Sequence, residues 1–279
     1  MGEPSGVGPE VAAAAFDHFG GQVGNHPLKL VGDAEIFAAH NAALIPTHSK
    51  VAAVPGKPDA RNAAAVTEAI EIAVSSCLKG DAAAVVTAPI HKAVLNEAGF
   101  GFPGHTEFLA HLTGARRAVM MLASDRLRVV PLTIHIPVAE VPKAISKQAV
   151  FDTGEIILTA LRRDFGILNP RLVVAGLNPH AGEDGVLGEE DEKVIAPAIA
   201  ALKARGFNVR GPLSADTLFH DEARKTYDAA LCMYHDQALI PIKSLSFWDG
   251  VNVTLGLPIV RTSPDHGTAL DIAGRHHVP

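Results

Sequence analysis

SKQAVFDTGEIILTALRRDF (146–165), RLVVAGL (171–177) and EEDEKVIAPAIAALKARG (189–206) follow one another in the chain, and their order decides the fold. The outer two repeat apolar residues at helical spacing; the middle one is a short, continuous apolar run without polar alternation. Such a strand is buried on both faces and needs a layer on each side, which flanking helices supply. The pattern recurs outward from there. LKLVGD (28–33), AAAVVTAPI (82–90), AVMMLAS (118–124), LRVVPLTI (127–134), AALCMY (229–234) and VNVTLGLPIV (251–260) predict further buried strands, and RNAAAVTEAIEIAVSSCLKG (61–80) predicts another helix. The runs at 118–124 and 127–134 are joined too tightly for a crossover helix, so they predict an antiparallel pair. The expectation is an α/β protein with a mixed, largely parallel sheet.

The chain has 279 residues, 48% hydrophobic and 19% charged, which is enough apolar material for one large domain or two. A formal charge of −6 gives no footing for nucleic acid or for an anionic membrane surface. Cys77 and Cys232 stand apart with no CxxC between them, which suits a reducing cytoplasm and argues against a thiolate metal site. The apolar runs are short and broken by Gly, Pro and charge, so neither a signal peptide nor a membrane span is expected. GFGFPGH (99–105) is the candidate crossing between domains.

Polar residues gather where the strands end. LRVVPLTI runs into His135, RLVVAGLNP into His180 and AALCMY into His235. Ligand sites of open α/β sheets lie at the carboxyl ends of strands. Three converging imidazoles would leave open positions on a divalent ion, the catalytic pattern rather than the structural one. The alternative is three unrelated loop residues. TSPDHGTALDIAG (262–274) brings Asp265 and His266 into a turn, and PGHTEFLA (103–110) sets His105 and Thr106 at a helix start able to receive an anion. Lys243, Asn252 and Arg261 punctuate the apolar C-terminal third, where the two cations either meet something negative or reach outward to solvent. Near the start, GEPSGVGPE (2–10) combines glycines with Pro9 at a first helical position, either a plain capped turn or an anion seat.

GEPSGVGPE, TAPIHKAVLNEAG, GHTEFLA, LNPHAGEDG, GPLSADTLF, MYHDQALIPIK and GVNVTLGLPIVRTSPDHGTALDIAG, in this order, resemble the 4-hydroxythreonine-4-phosphate dehydrogenase family over nearly the whole chain. The resemblance implies a two-domain isocitrate/isopropylmalate dehydrogenase-like α/β fold with a cleft between domains. The expected division is residues 1–103 plus 266–279 and residues 104–265. It also implies a cytoplasmic homodimer whose active site is shared across the interface. By motif, His135, His180 and His235 become ligands for one divalent ion (Zn, Co or Mg), and His105, Thr106, Lys243, Asn252 and Arg261 become substrate contacts. GEPSGVGPE is similar to the GDGIGPE turn of the isopropylmalate dehydrogenase relatives, and DHGTALDIAG to their HGSAPDIAG loop. That similarity makes His266, Gly267, Thr268 and Asp271 the expected seat of NAD or NADP.

The implied reaction oxidises the C3 hydroxyl of 4-phosphooxy-L-threonine and releases CO₂ to give 3-amino-2-oxopropyl phosphate, a step toward pyridoxal 5′-phosphate. Lys243, Asp216 and Asp236 are alternative acceptors for the hydroxyl proton. Two rivals stand beside this reading: a sister dehydrogenase acting on 4-phospho-threonate, 4-phospho-erythronate or a diol carboxylate, and a metal- and phosphate-binding protein without redox activity. The sequence departs from the family pattern at both ends. Met1 stands where a first strand would be finishing, and RHHVP (275–279) stands where members continue into a further loop and a C-terminal helix. The expectation is therefore either a clipped sequence or a shortened version, with stability and activity reduced if the ends matter.

Overall fold

In the computed structural model, which describes residues 1–275, the chain divides into two units, Met1–Ala118 with the segment from Leu257 onward, and Val119–Gly256. The first unit opens on the glycine-rich turn and α1 (Gly8–His18), with proline in its first turn. A hairpin of β1 (Gln22–Val23) and β2 (His26–Pro27) follows, then β3 (Leu30–Gly32) paired in parallel with β4 (Leu44–Pro46). Next come α2 (Ala63–Lys79), β5 (Ala84–Val86), α3 (Lys92–Glu97) and α4 (His105–Thr113). Helix α2 buries Ala63, Val66, Ile70 and Val74 at helical spacing against Val85, Leu95, Phe108 and Leu109.

The second unit is a six-stranded sheet with a layer on each face. Its elements are β6 (Val119–Ala123), β7 (Arg128–Pro131), α5 (Val141–Ala144), α6 (Lys147–Arg163), β8 (Arg171–Ala175), α7 (Ala196–Ala204), β9 (Asn208–Leu213), α8 (Asp221–Arg224), β10 (Ala229–Cys232), α9 (His235–Leu245) and β11 (Val251–Leu255). The strand order is β11-β6-β7-β10-β8-β9, with the pairs β11/β6 and β6/β7 antiparallel and the rest parallel. Alternate residues serve opposite faces: Leu172, Val174 and Leu231 join Ile157, Leu161, Ile199 and Leu202 of α6 and α7. Val173, Ala230 and Cys232 pack with Leu239 and Ile242 of α9. The continuous apolar strands therefore have the cause inferred for them, helices on both sides. The chain then re-enters the first unit with β12 (Val260–Pro264), parallel to β5, with Arg261 opposite Val85.

Several expectations need correcting. The run 251–260 is two strands rather than one, because Gly256 takes φ +83° and Pro258 has no N–H to offer a ladder. LRVVPLTI stops being a strand at Pro131, although Leu132 N–H still donates to Cys232 O at 2.8 Å. The helix at 189–206 begins with a π-turn, Asp191–Ile195, before α7. The chain passes between units after 118 and after 256, so residues 104–118 and 257–265, expected in the second domain, group with the first. The reason is packing: Phe108 and Leu109 of α4 complete the α2 core, and β12 pairs with β5. Residues 276–279, expected in the first domain, lie outside the described residues.

Candidate active site

The first unit holds a buried cation. Parallel pairing of β12 with β5 sets Arg261 opposite Val85, and Thr87 N–H, just past β5, donates to Thr262 O at 3.0 Å. The Thr87 hydroxyl therefore lies against the guanidinium, accepting from Arg261 Nε at 3.1 Å and Nη2 at 2.6 Å. Nη2 is also 3.4 Å from Nδ1 of His105, the first residue of α4. Arg261 is 4% exposed, and burial pushes its pKa down to about 10, so it remains a cation near neutrality. Burial and then the Arg261 charge push His105 down to about 3, which keeps that imidazole neutral. Among the described residues, His105 Nε2 is buried with no hydrogen-bond partner. A desolvated cation beside an unused imidazole nitrogen is an arrangement that an oxyanion satisfies. Arg261 does not reach outward to solvent, and Thr106 follows His105 in the same first helical turn.

A second group of side chains belongs to the Val119–Gly256 unit. Strands β7, β10 and β8 are neighbours running the same way, so His135, His235 and His180 all follow strands that end on one edge of the sheet. Four hydrogen bonds tie the three chain segments together. Leu132 N–H donates to Cys232 O at 2.8 Å, Thr133 Oγ1 to Met233 O at 2.7 Å, and Met233 N–H to Gln237 Oε1 at 2.6 Å. Gln237 Nε2 then donates to Gly176 O at 2.8 Å. The rings of His135 and His235 are 6.2 Å apart and line one cavity of about 340 Å³ with Thr133, Ile134, Tyr234 and Asp236. His235 Nδ1 lies 2.7 Å from Asp236 Oδ1, a carboxylate–imidazole pairing that leaves Nε2 for a metal ion.

His180 follows a different course. Its loop is left-handed at His180, Ala181, Glu183 and Asp184 (φ 54°, 53°, 43° and 54°). Buried Asp191 anchors it, accepting from Leu177 N–H at 2.8 Å and Asn178 N–H at 3.1 Å. Asp216 lies within electrostatic reach of His180; its carboxyl is held below the usual range first by the Ser214 hydroxyl and less by His180. Among the described residues no three His, Cys, Asp or Glu side chains of one chain form a metal cage. Of the expected trio, the rings of His135 and His235 face one cavity, and His180 stands in the loop that Asp191 anchors. His135, His235 and Asp236 bring metal-ligating side-chain types to one cavity, but a full ligand set does not gather within one chain's described residues.

Lys243 lies over the Phe247 ring, 5.6 Å from its centre, and Asn252 Oδ1 in β11 is buried without a hydrogen-bond partner among the described residues. In the first unit, the expected cofactor loop rests on the glycine-rich opening turn. Val7 N–H donates to Thr268 O at 2.9 Å, and Gly274 N–H to Glu10 Oε1 at 2.7 Å. A Cβ on Gly6 would stand 2.6 Å from Thr268 O, so glycine is required for that approach. His266, Gly267 and Asp271 are exposed, offering main chain and a carboxylate of the kind that meets a ribose hydroxyl.

The family model described as "Pyridoxal phosphate biosynthetic protein PdxA" matches residues 13–278. The chain belongs to that family. A 4-hydroxythreonine-4-phosphate dehydrogenase from Roseobacter denitrificans is 52% identical over 98% of this chain and 89% of its own. A crystal structure of one from Burkholderia phymatum is 38% identical with a TM-score of 0.87, covering 100% of this chain and 92% of that one. A terephthalate 1,2-cis-dihydrodiol dehydrogenase from Burkholderia xenovorans LB400 is 28% identical with a TM-score of 0.72, covering 100% and 92%. Sequence reasoning missed Thr87, Gln237 and Asp191, which are hydrogen-bonded to the candidate residues or to the segments that carry them. Gln237 was detectable as a polar residue two places past His235. Thr87, a small hydroxyl after an apolar run, carried no signal.

Proposed function

We propose that this PdxA-family chain oxidises 4-phosphooxy-L-threonine with NAD or NADP and releases CO₂ to form 3-amino-2-oxopropyl phosphate, in pyridoxal 5′-phosphate biosynthesis. The observation that carries the reading is the buried Arg261–His105 pair, a preformed receptor for an oxyanion inside a dehydrogenase family. Arg261 supplies a permanent cation and His105 a neutral N–H donor, while Thr106 adds a hydroxyl beside them. Fixed donors of this kind cost no reorganisation during reaction, and holding the phosphate orients the carbon that reacts. Lys243 and Asn252 are the further substrate contacts, Asn252 through an oxygen that now lacks a partner.

His135, His180 and His235 would hold the divalent ion, zinc, cobalt or magnesium. Asp236 fixes the His235 ring so that its outer nitrogen is free. Such an ion supplies Lewis acidity toward the substrate hydroxyl and the ketone that replaces it. A second copy of the chain completes the set, a reading supported by the lack of a full ligand group within one chain's described residues. His266, Gly267, Thr268 and Asp271 would seat the nicotinamide dinucleotide, which supplies the hydride acceptor. Lys243, Asp216 and Asp236 remain alternatives for taking the hydroxyl proton; near-normal turnover in Lys243→Met would remove the first. No helix among the described residues is long and apolar enough to cross a membrane. The reading places the enzyme in the cytoplasm, where Cys77 and Cys232 stay as free thiols.

A second reading, oxidation of 4-phospho-threonate, 4-phospho-erythronate or a cis-dihydrodiol carboxylate, draws on the likeness to the terephthalate dihydrodiol dehydrogenase. Reduction of NAD⁺ and NADP⁺ by metal-loaded protein, followed by absorbance with each substrate, separates the two. The higher kcat/KM is expected with 4-phosphooxy-L-threonine. A higher value with any rival moves the assignment to it, and no turnover with any of them retires both.

A further inference from the structure

A guanidinium binds an oxyanion well only when its plane is fixed, because the two-pronged geometry that gives it strength is lost if the group swings. Arg261 has one edge, Nε and Nη2, engaged by a single atom, Thr87 Oγ1, at 3.1 and 2.6 Å. Thr87 is itself immobilised: it is 6% exposed, and its N–H is bonded to Thr262 O, one residue from Arg261 on the paired strand. The β-branched side chain has few rotamers to choose from. A neutral hydroxyl in that place aligns the cation without cancelling it, whereas a carboxylate there would spend the charge that a substrate needs. The consequence reaches one residue further. With Nη2 donating toward His105 Nδ1 at 3.4 Å, the one proton of a neutral imidazole must sit on Nε2, the atom left buried without a partner.

We infer that Thr87 is a positioning residue for substrate recognition: its hydroxyl fixes the plane of Arg261 and, through Arg261, holds His105 in the tautomer that presents Nε2–H to the substrate's oxyanion. This rests on the reading of Arg261 and His105 as substrate contacts. Thr87 itself touches no substrate atom; it acts through the two residues beside it.

The test is steady-state kinetics of the metal-loaded enzyme with 4-phosphooxy-L-threonine and saturating NAD⁺, alongside thermal melting. Thr87→Val keeps the shape and deletes the acceptor. It is expected to raise KM at least tenfold, with kcat changed less than threefold and an unchanged melting temperature, while Thr87→Ser stays within threefold of wild type in both. KM within twofold of wild type in folded Thr87→Val overturns the inference. If Thr87→Val does not fold, Thr87→Cys against Thr87→Ser carries the same test, since sulfur is a weak acceptor of similar size: KM is expected to be several-fold higher in the cysteine variant, and equal values overturn the inference. Arg261→Lys separates the two levels. Raised KM there with normal KM in Thr87→Val sinks only the role of Thr87, whereas normal KM in Arg261→Lys sinks the substrate-contact reading itself.

Discussion

The Arg261 pocket and the His135–His235 cavity achieve readiness by opposite means. Around Arg261 the polar atoms are buried, and the guanidinium is already bonded to Thr87 and close to His105. At the histidine cavity His135 is exposed and His235 partly so, and the order lies behind them, in the bonds that join Thr133, Met233, Gln237 and Gly176. The first arrangement suits a ligand that is recognised by fixed donors. The second suits an ion that supplies its own ordering once strand ends hold the imidazoles near it.

The largest expected effect breaks the comparison on the open side. His235→Ala should lower kcat/KM by roughly 10³-fold, the scale of several kcal/mol of lost metal-ion catalysis. The melting temperature of metal-free protein should move little, because the ring is not part of either core. Next, Arg261→Met should raise KM by about ten- to a hundredfold, as expected for a charge-assisted contact. Melting should stay level or rise, since a buried cation is a poor contributor to stability. A large loss of stability in that variant would mean that Arg261 is structural cement.

Gln237→Leu should weaken affinity for added Zn²⁺ or Co²⁺ by roughly tenfold, read by calorimetry, because it unties the His235 segment from the His180 segment. A further effect concerns pH. His105 is depressed to about 3 in the folded chain, while an unfolded histidine titrates near 6.5. The unfolded state therefore binds more protons between those values, and stability falls as pH drops through that window. The slope from this one group is about 1.4 kcal/mol per pH unit near pH 5. Urea unfolding at pH 7 and pH 5 should show a smaller pH effect in His105→Gln than in wild type; equal effects would mean that the ring titrates normally.

Strands buried on both faces were legible because a short, continuous apolar run between turn residues must be covered on every side, and β6, β7, β8 and β10 all lie within the runs that predicted them. Helix α9 was hidden by its content: it starts with His, Asp and Gln and carries Pro241 inside. Strand β9 was hidden by Gly211 and Pro212, which interrupt any apolar run. At the sites, a histidine after a strand announces itself, so His135, His180 and His235 were nameable at once. The left-handed course of the His180 loop was not, since it is held by Asp191, a carboxylate reaching back to the amides of 177 and 178. Thr87 was illegible for a related reason: its partner lies 174 positions away, and only strand pairing brings the two together.

The left-handed stretch from His180 to Asp184 sets unequal tolerances for change along the gene. Each non-glycine residue there sits roughly 1–2 kcal/mol above its relaxed conformation. Mutating Ala181 or Glu183 to glycine would relieve that tension and be forgiven by the fold. Drift at Asp191, which is buried beneath the loop, would release the bend and let the whole segment unwind, so the position most vulnerable to a silent loss of function is one that an inventory of exposed residues would omit.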